Sequence, residues 1–260
     1  MYIQNYEYYL RVKGTDEILR ARPFGINDVE QVVKFAKKIT MSPDNYKRLL
    51  GIGCTEEFSK TGALLETTEE EIAEVARDDR YFKLGIWDRA DRLVAFMIVQ
   101  LEDFDDFLVH SEDFSFRSGF EHNWDFWSSI KRLGGMTYKG DIGVSHDINF
   151  PKMFSILFYL GMSEMIKLGK THCVTEVFRL TACTDCDGRH LLDITNERSF
   201  NAQTIAAAAY YVADYRLKQK NIADGVVVEY NAKILEYDFA KTVAKCKDVL
   251  LASDIEIKTY

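Results

Sequence analysis

The residues best placed to bind a ligand surround a predicted junction between a strand and a helix. Residues Thr137–Val144 have the composition of a strand, residues 145–149 form a short polar turn, and a long apolar helix begins near Pro151. A second strand, Cys173–Phe178, follows the helix. The first amides of a helix have no partner within it and the helix dipole is positive there, so this end favours an anion. The pattern therefore predicts a phosphate site at the start of the helix.

A second group of residues has side chains that bind metal ions. Cys183 and Cys186 are two residues apart, and His190 and His172 lie nearby in the sequence. Thiolates and imidazoles are preferred ligands of Zn²⁺, but structural zinc sites usually combine two such pairs. A single CxxC pair is more often an ordinary reduced loop, and we expect no metal ion here.

Charge and cysteine content restrict the class of protein. The formal net charge of −8 disfavours broad binding to nucleic acid or to an anionic membrane. Five scattered cysteines, an odd number, favour a reducing compartment. The first residues, Met1–Tyr9, lack the basic and apolar regions of a secretory signal, and no apolar run is long enough to span a bilayer. We therefore expect a cytoplasmic protein.

Hydrophobic spacing gives an outline of the elements. With 47% apolar residues, three prolines and no linker-like segment, residues 1–260 are expected to form a single domain. Before the central unit we predict a strand at 17–24, a helix from Asn27–Asp28, a helix at 68–77 with a capping box, and a hairpin of strands 81–87 and 93–101. After it we predict an irregular stretch at 179–196, a helix at 199–221, strands at 226–230 and 232–237, a helix at 241–251 and a last strand at 255–260.

Residues 102–135 form a long segment rich in acidic and aromatic side chains. Long segments between strands are often functional, so one interpretation is that it shapes a substrate pocket or a lid. The other is that its aromatic side chains pack inward as a small subdomain.

This order of elements resembles the GNAT (GCN5-related N-acetyltransferase) fold. Four motifs support the resemblance: an Arg-containing strand at Leu19–Phe24 before the acidic helix start at Asn27–Asp28, the polar turn and apolar third strand at 88–101, a fourth strand ending in Asp141–Val144, and Asn196–Ser199, similar to the motif that opens the last helix. The resemblance implies an α/β (α+β) fold, with a mixed central sheet flanked by helices on both faces. The core would cover residues 17–240, with an aromatic-rich insertion at 102–135 between the third and fourth core strands and a C-terminal extension at 241–260.

The resemblance also implies a reaction: transfer of an acetyl or other acyl group from acyl-CoA to an amine of a small-molecule or peptide acceptor. Glu176 would be the base, because burial among apolar neighbours favours proton uptake by a carboxylate, and Asp141 is the second choice. Tyr210 or Tyr211, on the predicted last helix, would be the acid. The residues expected to contact the acyl-CoA are Ile142, Gly143, Val144, Asn149, Phe150, Lys152, Met153, Phe154, Asn196 and Ser199. The sequence leaves open whether the protein forms a homodimer.

The turn after the fourth strand departs from the GNAT pattern. GNAT glycines there let the backbone approach the pyrophosphate, whereas Asn149–Phe154 contains no glycine. Two alternatives therefore remain beside acyl-CoA-dependent transfer. One is a catalytically inactive binding module with this fold. The other is a transferase that uses a carrier-protein or aminoacyl-tRNA donor, with Arg216, Lys218 and Lys220 at the end of the predicted last helix as a basic docking surface.

Overall fold

The computed structural model describes residues 5–39, 68–102, 113–145, 150–223 and 226–259. Within these ranges, eleven strands form one mixed sheet. The strands are β1 Tyr8–Val12, β2 Ile18–Arg22, β3 Tyr81–Trp87, β4 Leu93–Gln100, β5 Phe114–Phe116, β6 Met136–Val144, β7 His172–Asp185, β8 Gly188–Thr195, β9 Tyr210–Ala223, β10 Val226–Asp238 and β11 Ile255–Thr259. The helices are α1 Val29–Ile39, α2 Glu69–Arg77, α3 Asn123–Arg132, α4 Met153–Lys167, α5 Glu197–Asn201 and α6 Phe239–Ala252.

The strands are arranged in the order β11-β1-β2-β3-β4-β6-β7-β10-β9-β5, and β8 pairs with β7 beyond this path. The pair β6–β7 is parallel, and the other described pairs are antiparallel. The long apolar helix α4 connects the two parallel strands, as the sequence predicts. A crossover of this kind is required because parallel neighbours cannot be joined by a tight turn.

The centre of the sheet is covered on both faces, which explains the continuous apolar runs of β3 and β4. On one face, Trp87, Phe96 and Ile98 pack against α1 and α2. On the other face, Phe82 and Met97 pack in the core that contains α4 and α6. Helix α4 is apolar around most of its circumference because the sheet covers one side of it and α6 the other.

The predicted signals at the starts of α1 and α2 are present. The Thr68 N–H donates to Glu71 Oε2 at 2.7 Å, and the Glu71 N–H donates to Thr68 Oγ1 at 3.2 Å, which is a complete capping box. Before α1, Arg22 donates two hydrogen bonds of 2.8 Å to the Asp28 carboxylate. The capping box satisfies amides that a helix start would otherwise leave without partners, and the Arg22–Asp28 pair joins the end of β2 to the segment before α1.

The predicted helix at 199–221 is wrong. Helix α5 and one π-helical turn at Ala202–Ala206 end the helical structure, and β9 begins at Tyr210. Alanine favours helices, but pairing with the long neighbour β10 outweighs that local preference here. The small side chains serve close packing instead: Ala207 is buried, and its carbonyl accepts a 2.8 Å hydrogen bond from Thr242 of α6.

The predicted irregular stretch at 179–196 is also wrong, because β7 continues to Asp185 and β8 returns beside it. The turn between them contains Gly188 at φ +130° and an Asp187 N–H that donates to Asp185 Oδ1 at 2.9 Å. The predicted strands 226–230 and 232–237 form the single strand β10.

The described part of the aromatic-rich segment packs inward. Trp127 of α3 is fully buried, and its indole N–H donates to Glu236 Oε2 of β10 at 2.6 Å. Phe114, Trp124 and Tyr215 complete a cluster on this face of the sheet. Residues 103–112 lie outside the described ranges. No helix in the described part of the chain is long and apolar enough to cross a membrane.

Candidate functional site

The two parallel strands pair at one end and separate at the other. Strands β6 and β7 pair from Met136 and His172 to Lys139 and Thr175, and beyond this point β6 pairs with β4 and β7 with β10. A β-bulge lies at the point of separation, where Gly140 and Asp141 of β6 are both opposite Ile98 of β4. Bulges bend a strand and increase its twist, so this bulge accounts for the divergence. The result is a wedge between β6 and β7.

Backbone groups at the end of β6 point into this wedge. The Ser145 N–H donates to the Val94 carbonyl at 2.9 Å, which makes these two residues a hydrogen-bonded pair. In an antiparallel ladder, hydrogen-bonded and non-hydrogen-bonded pairs alternate. The N–H and C=O groups of Val144 and Ile142 therefore point away from β4, toward the side on which the described β7 ladder has ended. These groups are placed to bind an extended ligand in the way a further strand would.

A cleft of about 360 Å³ opens beside the wedge, on the sheet face that carries α1 and α2. It brings together residues from six elements. Its lining consists of Glu71, Ile72, Val75, Ile98, Tyr138, Gly140, Asp141, Glu176, Phe178, Lys218, Lys220 and Tyr230. The two carboxylates that the sequence proposed as bases, Glu176 and Asp141, are both in this lining. No described residue of the aromatic-rich segment lines it.

Glu176 forms a buried ion pair in the cleft. Its side chain is 4% exposed, and the Lys218 side chain is 32% exposed. Lys218 Nζ donates to Glu176 Oε1 at 2.9 Å. A register shift between Tyr230 and Ala232 in the β10–β9 ladder places two residues, Arg216 and Leu217, opposite one. This bulge brings Lys218 onto the same face as Tyr215, and Lys218 Nζ lies 4.2 Å from that ring centroid.

Tyrosine side chains surround the carboxylate. Burial raises the pKa of Tyr138 well above its usual value of 10.0, and the negative charges of Glu176 and Asp141 raise it further. Burial, followed by the charge of Glu176, raises the pKa of Tyr230 to about 12. Both phenols are therefore protonated near neutral pH and available as hydrogen-bond donors.

Comparisons with known proteins give similarity in structure alone. No protein-family model matches the chain, and no curated protein matches it in sequence. The chain is similar to the ribosomal-protein-S18-alanine N-acetyltransferase from Escherichia coli, with a TM-score of 0.49 and 11% identity over 85% of this chain and 94% of that one. It is similar to the PaiA N-acetyltransferase from Thermoplasma acidophilum in complex with coenzyme A, with a TM-score of 0.43 and 12% identity over 85% and 98%. These TM-scores are below 0.5, so the fold assignment depends on the described element order, with parallel strands that pair at one end and diverge at the other.

The described order of elements is consistent with the GNAT fold. The order of a strand, two helices, an antiparallel hairpin, a further strand, a long helix and a parallel fifth strand is the one expected from the sequence. The fold-class prediction is therefore confirmed: a mixed sheet with helices on both faces and an insertion, carrying β5 and α3, between the third and fourth core strands β4 and β6.

The start of α4 is the place where the resemblance expects the pyrophosphate. Three side chains that were expected to contact the ligand there pack into the protein core instead. Phe150 and Met153 are buried in the core beneath the helix and Phe154 is half-buried against it, so these side chains are part of the packing. Lys152 is exposed and has φ +58°, a left-handed conformation that glycine adopts more easily. The predicted contact residue Asn149 lies outside the described ranges.

The predicted tyrosine acids do not line the cleft. Tyr211, at the start of β9, packs on the opposite face of the sheet and donates to Asp214 Oδ2 at 2.6 Å. Tyr210 is 43% exposed beside Lys241. Their assignment to a last helix is wrong because that helix ends before β9. Asn196 caps α5 by accepting a 3.1 Å hydrogen bond from the Ser199 N–H, and Ser199 Oγ accepts one of 2.8 Å from Gln203.

The two cysteines of the CxxC pair differ in their exposure to solvent. Cys183 is buried in β7 opposite His190 of β8, whereas Cys186 is exposed at the hairpin turn. The group of potential ligand atoms that lie within 4.8 Å of one another consists of Asp185, Cys186 and Asp187. This group includes neither Cys183 nor His190.

The sequence prediction did not include ten of the twelve lining residues in the site, among them Tyr138, Lys218, Lys220 and Tyr230. The two lysines had been assigned to a surface at the end of a helix, and they lie on a strand. One signal was available: Arg216, Lys218 and Lys220 alternate with other residues, which is the spacing of a strand face.

Proposed function

We propose that this protein is an N-acyltransferase that moves an acyl group from acyl-CoA to an amine. The wedge between β6 and β7 carries this proposal, because among the described residues no strand pairs with this edge of β6, and the edge lies next to a buried carboxylate. The pantetheine arm would pair with the backbone of Ile142 and Val144, whereas the backbone groups of Gly143 between them face Phe96 of β4. Amides at the start of α4 and the Lys152 ammonium would face the pyrophosphate.

The residues in the cleft have the roles that the reaction requires. The acceptor nitrogen attacks the thioester carbonyl carbon, and Glu176 takes its proton. The Val144 N–H stabilises the oxyanion that forms on the carbonyl oxygen. The tetrahedral intermediate then collapses with cleavage of the C–S bond, and the thiolate receives a proton. Tyr138 replaces Tyr210 and Tyr211 as our candidate donor toward this thiolate, and Asp141 remains the second candidate base.

Binding of the donor is the first experiment. CoA, acetyl-CoA and longer acyl-CoAs at about 100 times Kd should raise the melting temperature by roughly 5–10 °C. Val144→Pro removes the N–H that points into the wedge and should abolish this shift, whereas Val144→Ala keeps the N–H and should retain it. Absence of a shift with every CoA ester would overturn the proposal, as would equal shifts in the two variants.

A binding module without catalysis is the second candidate. The glycine-free start of α4 favours it, because Lys152 occupies a left-handed position and Phe150 fills the core nearby. This candidate predicts partner binding without turnover, and no loss of that binding in Glu176→Gln. Release of CoA from acetyl-CoA with any amine in a panel would exclude it.

A carrier-protein or aminoacyl-tRNA donor has less support. Lys218 and Lys220 both line the cleft, so only Arg216 of the three residues expected on a basic docking surface lies outside it. The cytoplasmic location also stays a prediction, and four cysteines in the described residues are free thiols.

A further inference from the structure

We infer that the acceptor is a small zwitterion of the amino-acid class, with its ammonium on Glu176 and its carboxylate on Lys218. This inference rests on the proposed function and names the class of acceptor for the same cleft. It begins from the ion pair that already occupies the site.

The Glu176–Lys218 pair is partly withdrawn from water, with side chains that are 4% and 32% exposed, so the loss of one member costs free energy. Removing the partner of a buried charge is strongly destabilising because the remaining charge has neither water nor a counterion. An acceptor with an ammonium alone would displace Lys218 from Glu176 and leave the Lys218 ammonium without its partner. A zwitterion would exchange one internal pair for two intermolecular pairs, so both protein charges stay compensated.

The other charged residues of the cleft are of both signs. Glu71 is engaged in the capping box of α2, where it accepts from the Thr68 N–H at 2.7 Å. The other charged lining residues are two carboxylates, Asp141 and Glu176, and two ammonium groups, Lys218 and Lys220. With Glu71, the lining carries three carboxylates and two ammonium groups, so charges of both signs are present for a ligand that carries one charge of each sign.

The size and the apolar wall of the cleft restrict the ligand further. A volume of about 360 Å³ is at the lower end of small-molecule sites, which suits one small molecule. Ile72, Val75 and Ile98 form an apolar side of the lining, and Phe178 adds an aromatic ring. An apolar or aromatic side chain of the ligand would bury its surface there.

The test compares ligands that differ only in one charge. The full chain is titrated with α- and ω-amino acids, with the decarboxylated amine of each, and with the matching carboxylic acid, for example phenylalanine, 2-phenylethylamine and 3-phenylpropionate. At least one amino acid should bind with a Kd about tenfold or more below those of its amine and its acid. The proposal is overturned if no amino acid binds, or if an amine binds as tightly as its amino acid.

Variants of Lys218 and Glu176 test whether this ion pair causes the preference for the amino acid over the amine. Lys218→Met should abolish the preference for the amino acid over the amine, and Lys218→Arg should retain part of it. The double variant Glu176→Gln with Lys218→Met leaves no unpaired charge and should bind neither, even if the single variant unfolds. Lys247→Met, on the exposed face of α6, is the matched control and should bind as the parent does. Unchanged preference in folded Lys218→Met would refute the inference.

Failure of this inference can be distinguished from failure of the proposed function, because ligand titration tests the first and acyl-CoA binding tests the second. Zwitterion preference without any acyl-CoA binding would remove the transferase and leave the cleft as a binding site for a zwitterion. Acyl-CoA binding with no preference for zwitterions would do the opposite.

Discussion

Three neighbouring strands determine the position of the Glu176 carboxylate: β7 carries it, β10 lies beside it, and β9 supplies Lys218 across β10. The carboxylate is buried among tyrosine rings, yet it faces a cleft. A carboxylate held in this way is oriented before any substrate arrives, which lowers the entropic cost of proton transfer.

Glu176→Gln tests the assignment of the base. The amide cannot accept the proton, so kcat should fall about 10²- to 10⁴-fold while acyl-CoA binding is retained. Steady-state kinetics and calorimetric titration of acetyl-CoA measure the two quantities. Glu30→Gln, on the exposed side of α1, should change neither. A kcat within threefold of the parent would mean that another group is the base.

Close packing against Trp87 requires a glycine at position 85. A Cβ at Gly85 would overlap three ring carbons of Trp87, which is fully buried beneath the Arg22 guanidinium. Gly85→Ala should therefore lower the free energy of unfolding by about 1–3 kcal/mol, measured by urea titration. Gly25→Ala has open space around the added methyl and should cost less. Similar losses in both variants would contradict this account.

At the scale of elements, the join between β2 and α1 depends on one ion pair. Burial alone would raise the pKa of Asp28, but hydrogen bonds from Arg22 and from the Gly25 N–H outweigh it and hold that pKa below its usual value of 3.8. A carboxyl whose pKa is lower in the folded state stabilises the fold above its unfolded pKa and loses this effect as the pH falls through the folded pKa.

Asp28→Asn should therefore lower the free energy of unfolding at pH 6 by about 1–3 kcal/mol. The difference between parent and variant should shrink as the pH falls below 3.8, because the parent carboxyl then takes up its proton. Urea titrations between pH 6 and pH 2.5 measure this. Asp125→Asn, exposed on α3, is the control. A difference that does not change with pH would show that the charge of Asp28 is not the cause.

At the scale of the whole molecule, one sheet connects separate apolar clusters. Trp87 belongs to the cluster beneath α1 and α2, and Trp127 belongs to the cluster beneath α3. Strands β4, β6 and β7 join them through continuous pairing. Loss of pairing in one half would expose strand edges of the other, so we expect the two halves to unfold together.

Single-tryptophan variants test this expectation and the prediction of a single domain. One variant keeps Trp87, with Trp124→Phe and Trp127→Phe, and the other keeps Trp127, with Trp87→Phe and Trp124→Phe. Urea transitions followed by fluorescence and by circular dichroism should share one midpoint within each variant. Separate midpoints for the fluorescence and circular dichroism signals would indicate two independently folding units.

The sequence by itself determined the elements whose signals are local. The capping box at Thr68, the turn chemistry before α1 and the apolar run of α4 each act through neighbours in the chain, and each element is present. The fold class followed from the order of these elements. Glu176 and Asp141 were placed correctly on strands because alternation and position in the order sufficed.

Only the tertiary structure decided what happens where the strands meet. The bulges at Gly140–Asp141 and at Arg216–Leu217 depend on pairing with distant strands, and no local pattern specifies them. They open the wedge and bring Lys218 onto Glu176. Pairing with β10 forms β9 from residues whose local preference is helical. Sequence spacing predicts which side chains share an element, but long-range pairing selects which elements share a site.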